Sequence, residues 1–114
     1  MNGLDWVAEF PGAITVSDTQ GVIVYMNQKA EKGYGGSLVG KNMLECHPGP
    51  ARAKLMTLME TQAINTYTIE KNGVKKLIHQ SPWFIDAQYA GFVELSIEIP
   101  FEMQHFIRAP QLAK

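Results

Sequence analysis

The segment from Ile14 to Ala30 constrains the fold most, because two short apolar runs, a tight turn and a helix start follow one another there. The runs 14–16 and 22–25 are rich in β-branched residues, and the residues between them end in Gly21. This pattern predicts a β-hairpin. The Asp18 side chain can accept from the backbone two residues on, and Gly21 can take a positive φ without a Cβ clash.

Helices are predicted after this hairpin. Asn27 is placed to cap a short helix over 27–32, and the glycines that follow are expected to end it. Residues 38–46 predict a helix of one or two turns, stopped by Pro48-Gly49-Pro50. Pro50 suits the first position of a longer helix that runs to about residue 63.

Three further strands are predicted at the end of the chain. They cover about 66–71, 74–84 and 89–99, and Asn72-Gly73 is typical of a primed hairpin turn between the first two. Pro82 inside the second of these strands predicts an edge position or a bulge near its end. Grouped helices between two sets of strands predict an α+β domain, with an antiparallel sheet covered by helices on one face.

The composition excludes several functional classes. A chain of 114 residues suits one domain, and its formal net charge of −1 gives no field that would attract nucleic acid. The single cysteine rules out an internal disulfide and a cysteine-based metal site. The N-terminus lacks a signal-peptide pattern, and no apolar run is long enough to cross a membrane, so a cytoplasmic protein is expected. No phosphate loop, nucleophile elbow or catalytic triad is evident, so we expect no enzyme.

Several short motifs, taken together and in order, resemble those of a PAS domain. They are the turn over 18–21, Asn27, the Leu38-Val39-Gly40-Lys41 step and the Asn72-Gly73 hairpin. The resemblance implies a PAS fold with a five-stranded antiparallel sheet, short helices and one longer helix over one face. Residues 1–114 would form this one domain, with a helical cap at 2–9, a core at about 10–100 and a tail at 101–114. The tail does not resemble a signalling coiled coil, which favours a free-standing protein.

A closer resemblance is to small bacterial PAS proteins. It rests on the turn Cys46-His47-Pro48, on the strand end Gln80-Ser81-Pro82-Trp83 and on the last strand from Glu94 to Pro100.

PAS domains are small-molecule and signal sensors, so the resemblance implies a ligand pocket between the sheet and the helices. It implies that the pocket is lined by His47, Leu55, Met56, Met59, Tyr67, Ile69, Ile78 and Trp83. Methionines suit an adaptable lining, although Met56 and Met59 could equally complete the core.

His47 and Cys46 raise two alternatives that involve a cofactor. Haem-binding PAS domains place their histidine near the longer helix, so His47 is a candidate axial ligand for haem-based gas or redox sensing. A turn residue with a structural or polar-ligand role is the other interpretation of His47. A flavin photoreceptor needs its cysteine at the position of Met43, so Cys46 lies too late and flavin is not expected. No other metal site is predicted.

The third hypothesis needs no ligand, because PAS domains often form homodimers. Trp6, Phe10 and Phe92 could form an apolar patch for self-association, or pack together within one chain. The chain carries no kinase, cyclase or DNA-binding output, so any signal must pass to a second copy or to a downstream signalling protein.

Overall fold

The computed structural model of this chain describes residue 3 and residues 5–110. It contains three α-helices, one 3₁₀ helix and five strands within this range. In chain order they are α1 (Asp5–Ala8), β1 (Ala13–Ser17), β2 (Ile23–Met26), α2 (Gln28–Tyr34), the 3₁₀ helix (Met43–Cys46), α3 (Pro50–Thr61), β3 (Asn65–Lys71), β4 (Val74–Ile85) and β5 (Gln88–Ile99). The start of the predicted cap at 2–9 and the last four residues of the tail lie outside the described residues. No helix in the described part is long and apolar enough to span a membrane.

All strands belong to one antiparallel sheet in the order β2-β1-β5-β4-β3, so the predicted fold class is confirmed. The turn between β3 and β4 has positive φ at both Asn72 and Gly73, as a primed turn requires. β3 pairs with β4 only as far as Gln80, so β4 has no neighbour on that side at Pro82. The ladder with β5 also shifts after Trp83. Pro82 therefore costs the sheet no hydrogen bond to β3.

Asn27 joins the first hairpin to the helices through four hydrogen bonds. Its buried side-chain oxygen accepts from the backbone N–H of Ala30 at 3.1 Å and of Ile14 at 2.9 Å. Its amide donates to the carbonyls of Val7 and Gly12, at 3.0 and 2.8 Å. Every hydrogen-bonding group of the amide is thus used, and the predicted N-cap is confirmed.

Two helix boundaries differ from the prediction. α2 continues through Gly33 and ends at Gly35, which adopts the left-handed conformation. The helix predicted over 38–46 is reduced to the 3₁₀ turn at its end. Backbone groups of Gly40 and Lys41 are already bonded to Ile23 at 2.9 and 2.8 Å, so they are unavailable to a helix.

The core lies between the first part of the sheet and the helices. Its buried apolar residues are Ile23, Met26, Ala30, Met43, Leu55, Leu58 and Phe92. Phe92 is fully buried there, which excludes it from the alternative of a surface patch. Side chains alternate between the faces of a strand, so Glu94, Ser96 and Glu98 lie on the same, helix-facing side of β5 as Phe92. We call this side the inner face of the sheet, and the opposite side the outer face.

Candidate ligand pocket

A pocket of about 470 Å³ lies between α2 and the inner face of the sheet. It is lined by residues of β1, β3, β4 and β5, by one side of α2, and by His47 just before α3. These residues are Ala13, Thr15, Lys29, Ala30, Lys32, Gly33, Tyr34, His47, Tyr67, Ile69, Lys76, Ile78, Glu94, Ser96 and Glu98. Its size falls in the range of small-molecule sites, and polar and apolar side chains are mixed on its wall.

The register of the strands arranges the inner face in three cross-strand rows. The rows are Asn65, Gln80, Glu94 and Thr15; then Tyr67, Ile78, Ser96 and Ala13; and then Ile69, Lys76 and Glu98. The first row is polar, the second is mostly apolar and the third carries opposite charges. A ligand in the pocket would therefore meet a polar end, an apolar middle and a charged end.

Glu94 is the centre of a hydrogen-bond chain in the polar row. Its Oε2 accepts from Gln80 Nε2 at 2.8 Å and lies 3.1 Å from His47 Nε2. The amide of Asn65 donates to the side-chain oxygen of Gln80 at 3.0 Å, which orients the Gln80 amide toward Glu94. Among the described residues, Oε1 of Glu94 accepts no hydrogen bond, so this oxygen is free for a ligand.

His47 is held as a cation by its two partners. Nδ1 lies 2.9 Å from the carbonyl oxygen of Met43, and Nε2 faces the Glu94 carboxylate. With the Glu94 carboxylate ionised, both partners are acceptors, so both ring nitrogens donate, as they do in the imidazolium. The hydrogen bond to Glu94 accordingly raises the pKa of His47 against the opposing effect of burial. Burial raises the pKa of Glu94, but the hydrogen bonds from His47 and Gln80 outweigh it, so the pKa is lowered. We infer an ion pair between the two side chains.

The phenols and the thiol near Glu94 stay uncharged. Burial of its phenol, followed by repulsion from Glu94, raises the pKa of Tyr34 to about 12, although 45% of the residue is exposed. The same two causes raise the pKa of Tyr67. Burial also raises the pKa of the half-buried Cys46 thiol, with Glu45 as a further cause, so Cys46 is a poor nucleophile.

Half of the predicted ligand-binding residues line this pocket. His47, Tyr67, Ile69 and Ile78 do so. Leu55 lies in the core at 1% exposure, and Met56 and Met59 line a separate shallow hollow beside Tyr89. Leu55 belongs to the core, Met59 packs against it and Met56 is exposed, so α3 contributes none of these side chains to the pocket. Trp83 lies on the outer face, where its indole N–H donates to the carbonyl of Ser17 at 2.9 Å.

Apart from His47, the charged residues of the pocket were not among the predicted site residues. Glu94, Glu98 and Lys76 lie on strands whose alternation was evident, and alternation reveals two faces without telling which face the helices cover. The apolar part of the inner face, around Phe92, packs in the core, whereas α2 also covers a part that carries Glu94 and Glu98. Within the described residues, no group of three or more His, Cys, Asp or Glu is arranged to hold a metal ion.

Comparisons with solved structures identify the fold. The structure matches the C-terminal domain of a protein from Streptococcus mutans with a TM-score of 0.67 at 18% identity, over 81% of this chain and 78% of the other. It matches the PAS domain of a protein from Colwellia psychrerythraea with a TM-score of 0.57 at 24% identity, over 82% and 91% of the two chains. The Aer2 receptor from Vibrio cholerae, described as a dual PAS-haem oxygen sensor, matches with a TM-score of 0.55 at 16% identity, over 78% and 95%.

This protein is an α+β domain with the PAS fold. The resemblance drawn from the sequence motifs is confirmed at this level. No family model matches the sequence, and no curated protein matches it significantly. Its pocket chemistry therefore has to be deduced from its own residues.

Proposed function

We propose that this domain is a small-molecule sensor that binds its ligand in the pocket between α2 and the sheet, without catalysis. The observation that carries the proposal is the Glu94 carboxylate, which lines a pocket of about 470 Å³ and is held there through Oε2 by His47 and Gln80. A preorganised acceptor beside an apolar wall is the usual design of a specific small-molecule site. The matched Vibrio cholerae protein is described as a sensor, which supports the same role here.

His47 does not fit the role of a haem ligand in this arrangement. A neutral imidazole nitrogen must point its lone pair at the iron, and here both ring nitrogens are engaged with acceptors. Ligation would require His47 to lose a proton and to leave Glu94 unpaired in a half-buried site. The contacts of His47 therefore favour a polar, non-porphyrin ligand, with His47 as the residue that positions Glu94.

We infer that the signal passes through contacts of the outer face with a second copy of the chain. Between α1 and this face lies a groove of about 840 Å³, lined mainly by apolar side chains such as Ile14, Val16 and Val24. Charged residues lie only at its α1 side, at Asp5 and Glu9. The cytoplasmic location and any downstream partner stay predictions.

Native mass spectrometry of the purified protein tests the ligand proposal, combined with a thermal-shift screen against a metabolite library. We expect a bound compound, or a hit that raises the melting temperature, for the wild type. The variant Ser96→Trp fills the middle of the pocket and should abolish both signals. Ser37→Trp, on an exposed loop outside the pocket, is the matched control and should retain them. If no compound binds, or if Ser96→Trp binds as the wild type does, the proposal is wrong.

A further inference from the structure

The pocket wall carries more positive than negative side chains. Three lysines line it: Lys29 and Lys32 from α2, and Lys76 from β4. Within the described residues, none of these ammonium groups forms an ion pair; the side-chain ion pair of the pocket joins His47 and Glu94. Each lysine is therefore available to a ligand.

The acidic residues of the pocket offset only part of this charge. His47 as a cation neutralises Glu94, so that pair adds no net charge. Glu98 is the cross-strand neighbour of Lys76 and can offset it. Lys29 and Lys32 then have no acidic counterpart on the pocket wall. A cleft with a net excess of one sign of charge attracts ions of the opposite sign.

We propose that the ligand is a small organic anion. Its carboxylate or phosphate group would lie among Lys29, Lys32 and Lys76, and a hydroxyl or amino group at its other end would donate to Oε1 of Glu94. This inference rests on the proposed ligand-binding function. The carbon skeleton between these ends would cover the apolar row that contains Ile78 and Tyr67. A carboxylate and a phosphate ester place the same charge at the lysines, and binding assays separate them.

NMR titration of the full chain tests this inference, because it detects weak as well as tight binding. The probes are malate and glycerol 3-phosphate, and their uncharged counterparts are malamide and glycerol. We expect shifts of pocket resonances with at least one anion and none with its counterpart. Affinity should fall several-fold between low and high salt, because exposed charges are screened. The stronger of the two anions identifies the carboxylate or the phosphate ester as the preferred group.

Paired variants locate the site. Lys29→Gln with Lys32→Gln should weaken anion binding about tenfold or more, since each exposed charge pair contributes a modest amount. Arg52→Gln with Lys54→Gln removes the same charge from exposed positions of α3 outside the pocket, and should change anion binding only slightly. Glu98→Gln removes the opposing charge and should strengthen binding.

The outcomes separate this inference from the proposed function. If uncharged compounds bind and are blocked by Ser96→Trp while the anions do not bind, the domain is a sensor and the anion inference is wrong. Anion binding that survives Ser96→Trp or the Lys29/Lys32 double substitution also overturns it. If neither charged nor uncharged compounds bind, both proposals fail.

Discussion

The imidazole of His47 fixes the turn before α3 to the middle of the sheet, because it bridges the Met43 carbonyl and the Glu94 carboxylate. Sequence reasoning singled out His47 as the polar residue of interest, but it could not find the partner. Glu94 lies 47 positions away along the chain, and only the pairing of β5 in the centre of the sheet brings the two together. The role of His47 thus depends on a long-range contact that no local pattern encodes.

The ion pair predicts how stability depends on pH. Glu94 has a lowered pKa in the folded state, so its contribution is present above its ordinary value of 4.5 and is lost as the pH falls through the lowered one. His47 has a raised pKa, so its contribution is complete below its ordinary value of 6.5 and is lost as the pH rises through the raised one. The pair therefore stabilises most between 4.5 and 6.5. Hydrogen bonds to charged groups of this kind contribute about 2 kcal/mol.

Urea unfolding of the wild type and of His47→Gln across this range measures the effect. The difference in free energy of unfolding should be largest between the two ordinary values and should shrink toward alkaline pH. His105→Gln, in the exposed tail, is the control and should follow the wild type. An NMR titration in which His47 loses its proton at or below its ordinary pKa would contradict the ion pair.

Among the elements, the strands were the easier to predict. Their bounds follow from alternation and from turn residues with positive φ, such as Asn72-Gly73. The segment 38–46 was harder, because its backbone hydrogen bonds go to β2 rather than to itself. Local propensity describes a segment in isolation, and tertiary pairing overrides it here.

β1 and β5 approach each other so closely at Gly91 that we expect only glycine to be tolerated there. A Cβ at Gly91 would lie 1.9 Å from the backbone oxygen of Ser17 and 2.7 Å from the indole nitrogen of Trp83. The φ of +148° also disfavours other residues. Gly91→Ala should therefore lower the free energy of unfolding by more than about 2 kcal/mol.

Gly33 offers the matched control for this substitution. It lies within α2, and a Cβ there would meet nothing within 4 Å. Gly33→Ala should be neutral or stabilise the domain by about 0.5 kcal/mol, because alanine favours the helix. Denaturant unfolding compares the two, and a Gly91→Ala variant as stable as the wild type would show that β1 and β5 are not so closely packed.

In the molecule as a whole, the inner face of the sheet has two parts: the part at the core carries Ile23, Met26 and Phe92, and the part at the pocket is largely polar. On β5 the inner residues Glu94, Ser96 and Glu98 line the pocket, while Val93, Leu95 and Ile97 on the other side are only half-buried. A sheet built only for stability would place them the other way round. Departures from that rule are expected at functional sites. The inner face therefore favours binding of a ligand, and the outer face favours contact with a protein surface.

A single charge on the outer face tests the inferred self-association. Val24 lies on the edge strand β2, is 49% exposed and lines the outer groove. In light scattering we expect the wild type to have twice the chain mass of 12.7 kDa and Val24→Glu to have the monomer mass, because a buried unpaired carboxylate is costly at an interface. Val39→Glu places the same charge at a residue that is 51% exposed but outside the groove, and should leave the dimer intact. A monomeric wild type at high micromolar concentration would contradict the inferred self-association, and a Val24→Glu dimer would place it on a surface other than this groove.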